Sequence, residues 1–125
     1  MSHPETTPSR HDEEREERGL LGLLGLAIRS RQVRAGATAS EAVIRAGRAR
    51  LVLLAEDSSA GTKRFFTRLA RARGVPVLER CTQDEYGRCF QGPPRAVIVI
   101  LNPHFAAGML EKAGRHPPRV STPQS

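Results

Sequence analysis

The sequence predicts a single α/β domain, a compact three-layer α/β/α sandwich around a small mixed sheet, and three observations lead there. Two runs, Leu51-Val-Leu-Leu-Ala55 and Ala96-Val-Ile-Val-Ile-Leu101, are apolar at every position, with no alternation of polar and apolar residues. Continuous runs of this kind belong to strands covered by helices on both faces. Amphipathic segments alternate with them along the chain, the pattern of a layered α/β fold. A length of 125 residues suits one core and is too short for two.

In chain order, residues 1–18, MSHPETTPSRHDEEREER, are polar without an apolar face and are expected to form a disordered acidic tail. Leu20, Leu24, Ala27 and Ile28 recur at helical spacing, widened by Leu23 and Leu26, and define a first helix. A short edge strand is expected near Gln32–Arg34. Thr38-Ala-Ser-Glu41 has the capping-box pattern and predicts a second helix ending near Gly47. After the Leu51 strand, Ser58 or Ser59 caps a helix with Phe65, Phe66, Leu69 and Ala72 on one side and Arg64, Arg68 and Arg71 on another. Val75-Pro-Val-Leu78 reads as a strand, with Pro76 favouring an edge or a strand start. Thr82-Gln-Asp-Glu85 repeats the capping box and opens a brief helix that runs into Gly87 and Gly92. Asn102-Pro103 supplies an N-cap and an N1 proline for the last helix. The ordered domain is expected over 19–114, and the Pro-rich residues 115–125 as a second disordered tail.

Charge points to the partner class. Residues 1–18 hold three arginines against six acids, so the remaining chain, with 17 basic and 7 acidic residues, is more basic than the overall +7 indicates. Arginine supplies 18 of the 20 basic residues, and its planar fork suits phosphate. A polyanion, RNA or DNA, is the expected partner, against the plainer reading of compositional bias and solubility. Arg45, Arg48 and Arg50 beside the first strand place charge where a nucleic acid could lie.

Other chemistries find little support. Cys81 and Cys89 have no CxxC spacing and no nearby histidine, so no metal site is expected and the thiols read as reduced, in a cytoplasmic protein. Gly61-Thr-Lys63 lacks the order of a phosphate loop. Glu56 and Asp57, at a strand exit before a helix, read as structural or dipole-complementing acids, and no catalytic set or cofactor site can be assembled. The ten-residue run GLLGLLGLAI is too short to span a membrane. The remaining candidates are two glycine-bearing turns, Arg34-Ala-Gly36-Ala37-Thr38 and Tyr86-Gly-Arg-Cys-Phe-Gln-Gly92, each with flexible backbone, a helix terminus and an arginine.

The pattern AGATASEAVIRAGRARLVLLAEDSS, succeeded by YGRCFQG and an apolar AVIVIL strand, resembles the kink-turn RNA-binding ribosomal protein family, the L-seven-Ae family, in its small bacterial branch. The resemblance runs from LLGLAIRSRQ to LEKAG. It implies an α/β/α sandwich that binds sharply bent RNA internal loops, with a helix N-terminus in the widened groove and a second loop receiving a flipped-out nucleotide. Carried onto this chain, it implies groove contact at Gly36, Ala37 and Thr38, with Glu56 beside it and Tyr86, Gly87, Arg88 and Cys89 as the second contact. Arg34, Arg45, Arg48 and Arg88 would hold phosphates, and Tyr86, in place of the family's usual Leu, would either stack on the extruded base or fill the same apolar slot. The family's groove-reading Asn, Glu and Lys are Thr38, Ala39 and Ala42 here. The expected function is non-enzymatic binding of a kinked, structured RNA by a ribosome-associated monomer. The alternative is a protein-interaction module of the same fold without that readout.

Overall fold

The computed structural model describes residues 10–113 and 120–121. The parts of the expected tails at 1–9, 115–119 and 122–125 lie outside the described residues. Ten elements succeed one another: α1 (Arg10–Arg29), β1 (Val33–Ala35), α2 (Ala37–Arg45), β2 (Leu51–Leu54), α3 (Ala60–Ala72), β3 (Val77–Glu79), α4 (Gln83–Cys89), β4 (Val97–Ile100), α5 (Pro103–Ala113) and β5 (Val120–Ser121).

The sheet order is β1-β4-β2-β3-β5. β2 and β3 run parallel, with Val52 opposite Val77 and Leu54 opposite Glu79, while β4 lies antiparallel to both β1 and β2. The apolar runs take interior places because every residue of β2 and β4 is buried. Their side chains serve opposite layers in turn, as the two-residue period of a strand requires. Leu51, Leu53, Ala55, Ile98 and Ile100 join Leu20, Leu24, Tyr86, Ala106 and Met109, so α1, α4 and α5 cover this face. Val52, Leu54, Val97 and Val99 join Val43, Ile44, Phe66 and Ala70 beneath α2 and α3 on the other. The predicted three-layer sandwich is the observed one.

Helix starts show which local signals prevailed. The Ser59 side chain accepts from the Thr62 amide at the start of α3, and the Thr82–Glu85 capping box is complete at α4. Asn102 Oδ1 accepts from the His104 amide at 2.7 Å and the Phe105 amide at 3.2 Å at α5. The Thr38 box, by contrast, does not form. α2 begins earlier, with Gly36 as its N-cap at φ 95°, ψ 159° and no side-chain cap. The Gly36 amide donates to the Val97 carbonyl at 3.0 Å, so sheet pairing fixes the turn before Thr38 can act.

Both expected tails contribute to the fold. Residues 10–18 are the first half of α1, not a disordered segment. The cause lies far away in sequence: Arg80, only 1% exposed at the side chain, has Nη2 3.8 Å from Glu16 and Nε 3.5 Å from Glu17. A buried guanidinium needs counter-charge, and the helix extends to bring it. At the other end, Val120 and Ser121 form β5, antiparallel to β3 with Val120 opposite Leu78. This pairing covers the edge that β3 would otherwise leave open.

Candidate nucleic-acid interface

Strand directions gather four connections at one end of the sheet. β1 and β2 leave there into α2 and α3, β3 leaves there into α4, and the segment 90–96 enters β4 there. Backbone bonds join them: Gly36 N–H to Val97 O, Ala55 N–H to Ala96 O, Glu56 N–H to Cys81 O and Arg95 N–H to Gln83 O, all between 2.8 and 3.1 Å. Asp57 adds a side-chain link, its Oδ1 accepting from the Gln83 amide at 3.0 Å.

The start of α2 is chemically unlike its neighbours. α3, α4 and α5 each have first-turn amides taken by a side chain, whereas α2, opened by a glycine, has none so occupied. Gly36 is half-buried, and Ala37 and Thr38 are exposed. A helix N-terminus with open amides and the positive end of its dipole favours an anion. The Gly36 backbone lies in a region that residues with a Cβ hardly enter, so the turn depends on glycine.

The second predicted contact changes shape. Tyr86, Gly87, Arg88 and Cys89 are not a loop but the last turn of α4. Tyr86 is fully buried, and its hydroxyl donates to the Arg80 carbonyl at 2.6 Å. It cannot stack on an extruded base, and its role is to fill the core between α4 and the sheet. Cys89 is half-buried, its thiol facing the Leu21 carbonyl of α1 at 4.0 Å, and burial raises its pKa. Arg88 alone of the four is exposed.

Gly87 lets the chain beyond α4 return across the helix. A Cβ there would lie 2.5 Å from the Pro93 carbonyl oxygen and 2.8 Å from its carbon, so segment 90–96 folds back directly onto the helix. The Gly92 amide donates to the Gly87 carbonyl at 3.0 Å and closes that turn. Replacing Gly87 by alanine is therefore expected to cost about 1–3 kcal/mol of stability by overpacking. Thermal denaturation of Gly87→Ala measures it, and an unchanged midpoint would contradict the close approach.

Phe90 and Gln91 lay inside the expected Tyr86–Gly92 turn without a role of their own, and Arg95 was not singled out from the sequence. They form the loop proper: Gln91 is exposed with φ 56°, and the Arg95 guanidinium carbon sits 4.9 Å from the centroid of the Phe90 ring. A cation held over an aromatic face is fixed in place at the mouth of the loop. The Gly92-Pro-Pro-Arg95 run, a turn and then a cation before an apolar strand, was the available signal.

The arginines expected to frame this end do not all reach it. Arg45 closes α2 at its far terminus and pairs with Glu41 at 2.8 Å, and Arg48 lies in the next turn. Both sit at the opposite end of the sheet, where β2 begins. Arg34 lies on the edge strand, half-buried, with a guanidinium nitrogen donating to the Val33 carbonyl at 2.8 Å. Glu56 is half-buried at the β2 exit, and Lys63 donates to its carbonyl at 2.6 Å.

Beneath the loops lies a dense buried polar group. The donor atoms of Glu17, Cys81 and Glu85 come within 4.8 Å of one another beside Arg80. Burial, opposed by Arg80 and reinforced by Glu56 and Glu85, raises the Glu17 pKa. Burial, with Glu17 and Glu85 adding to it, pushes the Cys81 thiol far up, and burial does the same to Tyr86. The Arg80 guanidinium already supplies positive charge beside these groups. The cluster therefore reads as support for the α4 start.

No protein-family model matches the chain. RNA-binding protein YlxQ of Bacillus subtilis (strain 168) is 36% identical over 84 residues, covering 67% of this chain and 84% of that protein. A protein with unknown function from Bacillus halodurans superposes with a TM-score of 0.72 at 26% identity, over 76% of this chain and 96% of that one. The Giardia lamblia 15.5kD RNA binding protein has the same fold, with a TM-score of 0.69 at 20% identity over 94% of this chain and 98% of its own. The chain belongs to the L-seven-Ae family.

Proposed function

We infer that the protein is a non-enzymatic, cytoplasmic RNA-binding protein that recognises a kinked, structured RNA, ribosomal RNA among the candidates, through the end of the sheet where α2 begins. The observation that carries this reading is the uncapped start of α2 beside the loop at 90–96. The relative YlxQ carries RNA binding in its name and supports the partner class. Open amides at Ala37 and Thr38 receive a phosphate or a base edge, and Arg88, Gln91 and Arg95 face the second strand of the bend. The acids nearby discourage indiscriminate phosphate binding, so shape, not charge, selects the RNA at this end.

Thr38→Glu tests it. A carboxylate in the exposed first turn complements the helix dipole, so the fold is kept, yet it occupies the anion site and repels phosphate. The variant should melt at or slightly above the wild-type temperature and lose about tenfold or more in affinity for a kink-turn RNA, measured by electrophoretic shift. Wild-type binding no tighter than to a plain duplex of equal length would instead assign this surface to a protein partner.

A further inference from the structure

Positive charge is concentrated away from the start of α2. Residues 42–55 and 58–78 contain eight basic residues and no acid. Two of the eight are matched: Arg45 by Glu41, and Lys63 by Glu79 at 2.8 Å. Arg64, Arg68 and Arg71 are exposed on α3, and among the described residues no carboxylate pairs with them. At positions i, i+4 and i+7 they fall on one stripe of the helix, about 10 Å long at ~1.5 Å per residue. The stripe runs toward Arg73, whose guanidinium donates to the Arg45 carbonyl at 2.7 Å and ties the α3 terminus to that of α2.

An aromatic ring flanks this stripe. Phe65 is 43% exposed, whereas its neighbour Phe66 is buried in the core. The two rings meet edge to face, with centroids 5.0 Å apart and planes at 86°, so the exposed ring rests against a buried one. Gly61, Arg64, Phe65, Arg68 and Leu69 line an open groove of about 420 Å³. Gly61 leaves one wall low. An exposed aromatic face beside a row of guanidiniums without carboxylate partners matches what single-stranded nucleic acid requires: cations for its phosphates and a platform for an unpaired base.

We propose that the outer face of α3 is a second RNA-binding surface, which takes a single-stranded segment with Arg64, Arg68 and Arg71 on its phosphates and a base stacked on Phe65. This surface is independent of the start of α2, from which α3 differs in having its amides capped by Ser59. One molecule would thus hold a folded RNA element at the sheet end and an adjoining unpaired stretch along α3. The second contact relies on charge and stacking, so it is tolerant of sequence and sensitive to salt.

The test uses a twelve-nucleotide oligouridine, which cannot form a kink-turn, and the full chain. Fluorescence anisotropy should show binding that weakens with salt, and R64A/R68A/R71A should flatten the log–log salt slope by about 2, at about 0.7 per phosphate contact on a single strand. The triple lysine variant should keep most of the slope. Phe65→Leu, which retains an apolar side chain, should lower affinity at least about fivefold through lost stacking. Oligouridine binding unaffected by both variants, or polyglutamate binding equal to that of oligouridine, would overturn the proposal. The arginine side chains are exposed, so the arginine variants should melt as the wild type does, whereas Phe65→Leu should melt slightly lower through loss of the Phe66 contact. Phe65→Leu carries the test should the triple variant fail to fold. A kink-turn RNA without single-stranded extensions reports separately on the α2 end, so failure of either surface is distinguishable from failure of the other.

Discussion

Arg80→Ala should destabilise the protein by about 3–5 kcal/mol, the cost of breaking a buried ionic group by removing one partner. Arg80 is the cation set among Glu16 and Glu17 of α1, and Glu56 and Glu85 act on the same site through their charge. Without it, carboxylates from three elements face each other in a poorly solvated pocket, and a side-chain-sized void is left. The loss should depend on pH with a defined sign. Glu17 is already shifted upward in the fold, chiefly by burial, and Arg80 is the influence that restrains the shift. A carboxyl whose pKa is raised by folding contributes stability below its unfolded value and loses it as pH rises through the folded one. In Arg80→Ala the shift grows, so the stability difference from wild type should be smallest near about pH 4 and widen toward neutrality. Urea denaturation across that range measures it, and a difference independent of pH would refute the coupling. Hydrogen exchange in Arg80→Ala should also show residues 10–18 opening first, since Glu16 and Glu17 lose their buried cation.

Tyr86→Ala should cost a comparable ~3–5 kcal/mol, because a buried aromatic is removed from the face of the sheet that α1, α4 and α5 cover. Tyr86→Phe separates the parts of that cost. It keeps the ring and loses the hydroxyl's bond to the Arg80 carbonyl and its hydrogen bond with the Cys81 thiol, so about 1–2 kcal/mol is expected. The decisive readout is the RNA affinity of Tyr86→Leu, since phenylalanine would stack as tyrosine does: measured where the variant is fully folded, it should stay within about twofold of wild type. A large affinity loss in folded Tyr86→Leu, absent from Tyr86→Phe, would restore the sequence-based role.

The layers of the fold were legible because their causes are local. Val52, Leu54, Val97 and Val99 announce two-sided burial by being apolar without interruption, and Thr82 and Asn102 carry their caps within three residues. What failed had distant causes. Thr38 was displaced as a cap by the hydrogen bond of Gly36 to Val97, and residues 10–18 were ordered by Arg80. The candidate site was half legible for the same reason. Gly36 and Gly87 could be singled out as backbone positions, but the inward turn of Tyr86 depends on α4 reaching Cys89, which its glycine and arginine did not suggest. Arg45 and Arg48 stand near Leu51 in sequence, yet at its N-terminal side, and strand direction carries them to the far end from Glu56.

Arg34 also shapes the border of the sheet. β1 is the outermost strand on its side and only three residues long. Its Val33 carbonyl is met by the chain's own guanidinium at 2.8 Å. An approaching strand would find little backbone to pair with and a cation in its path, which is how sheet proteins avoid edge-to-edge aggregation. Arg34 thus guards solubility: its loss would show as concentration-dependent association.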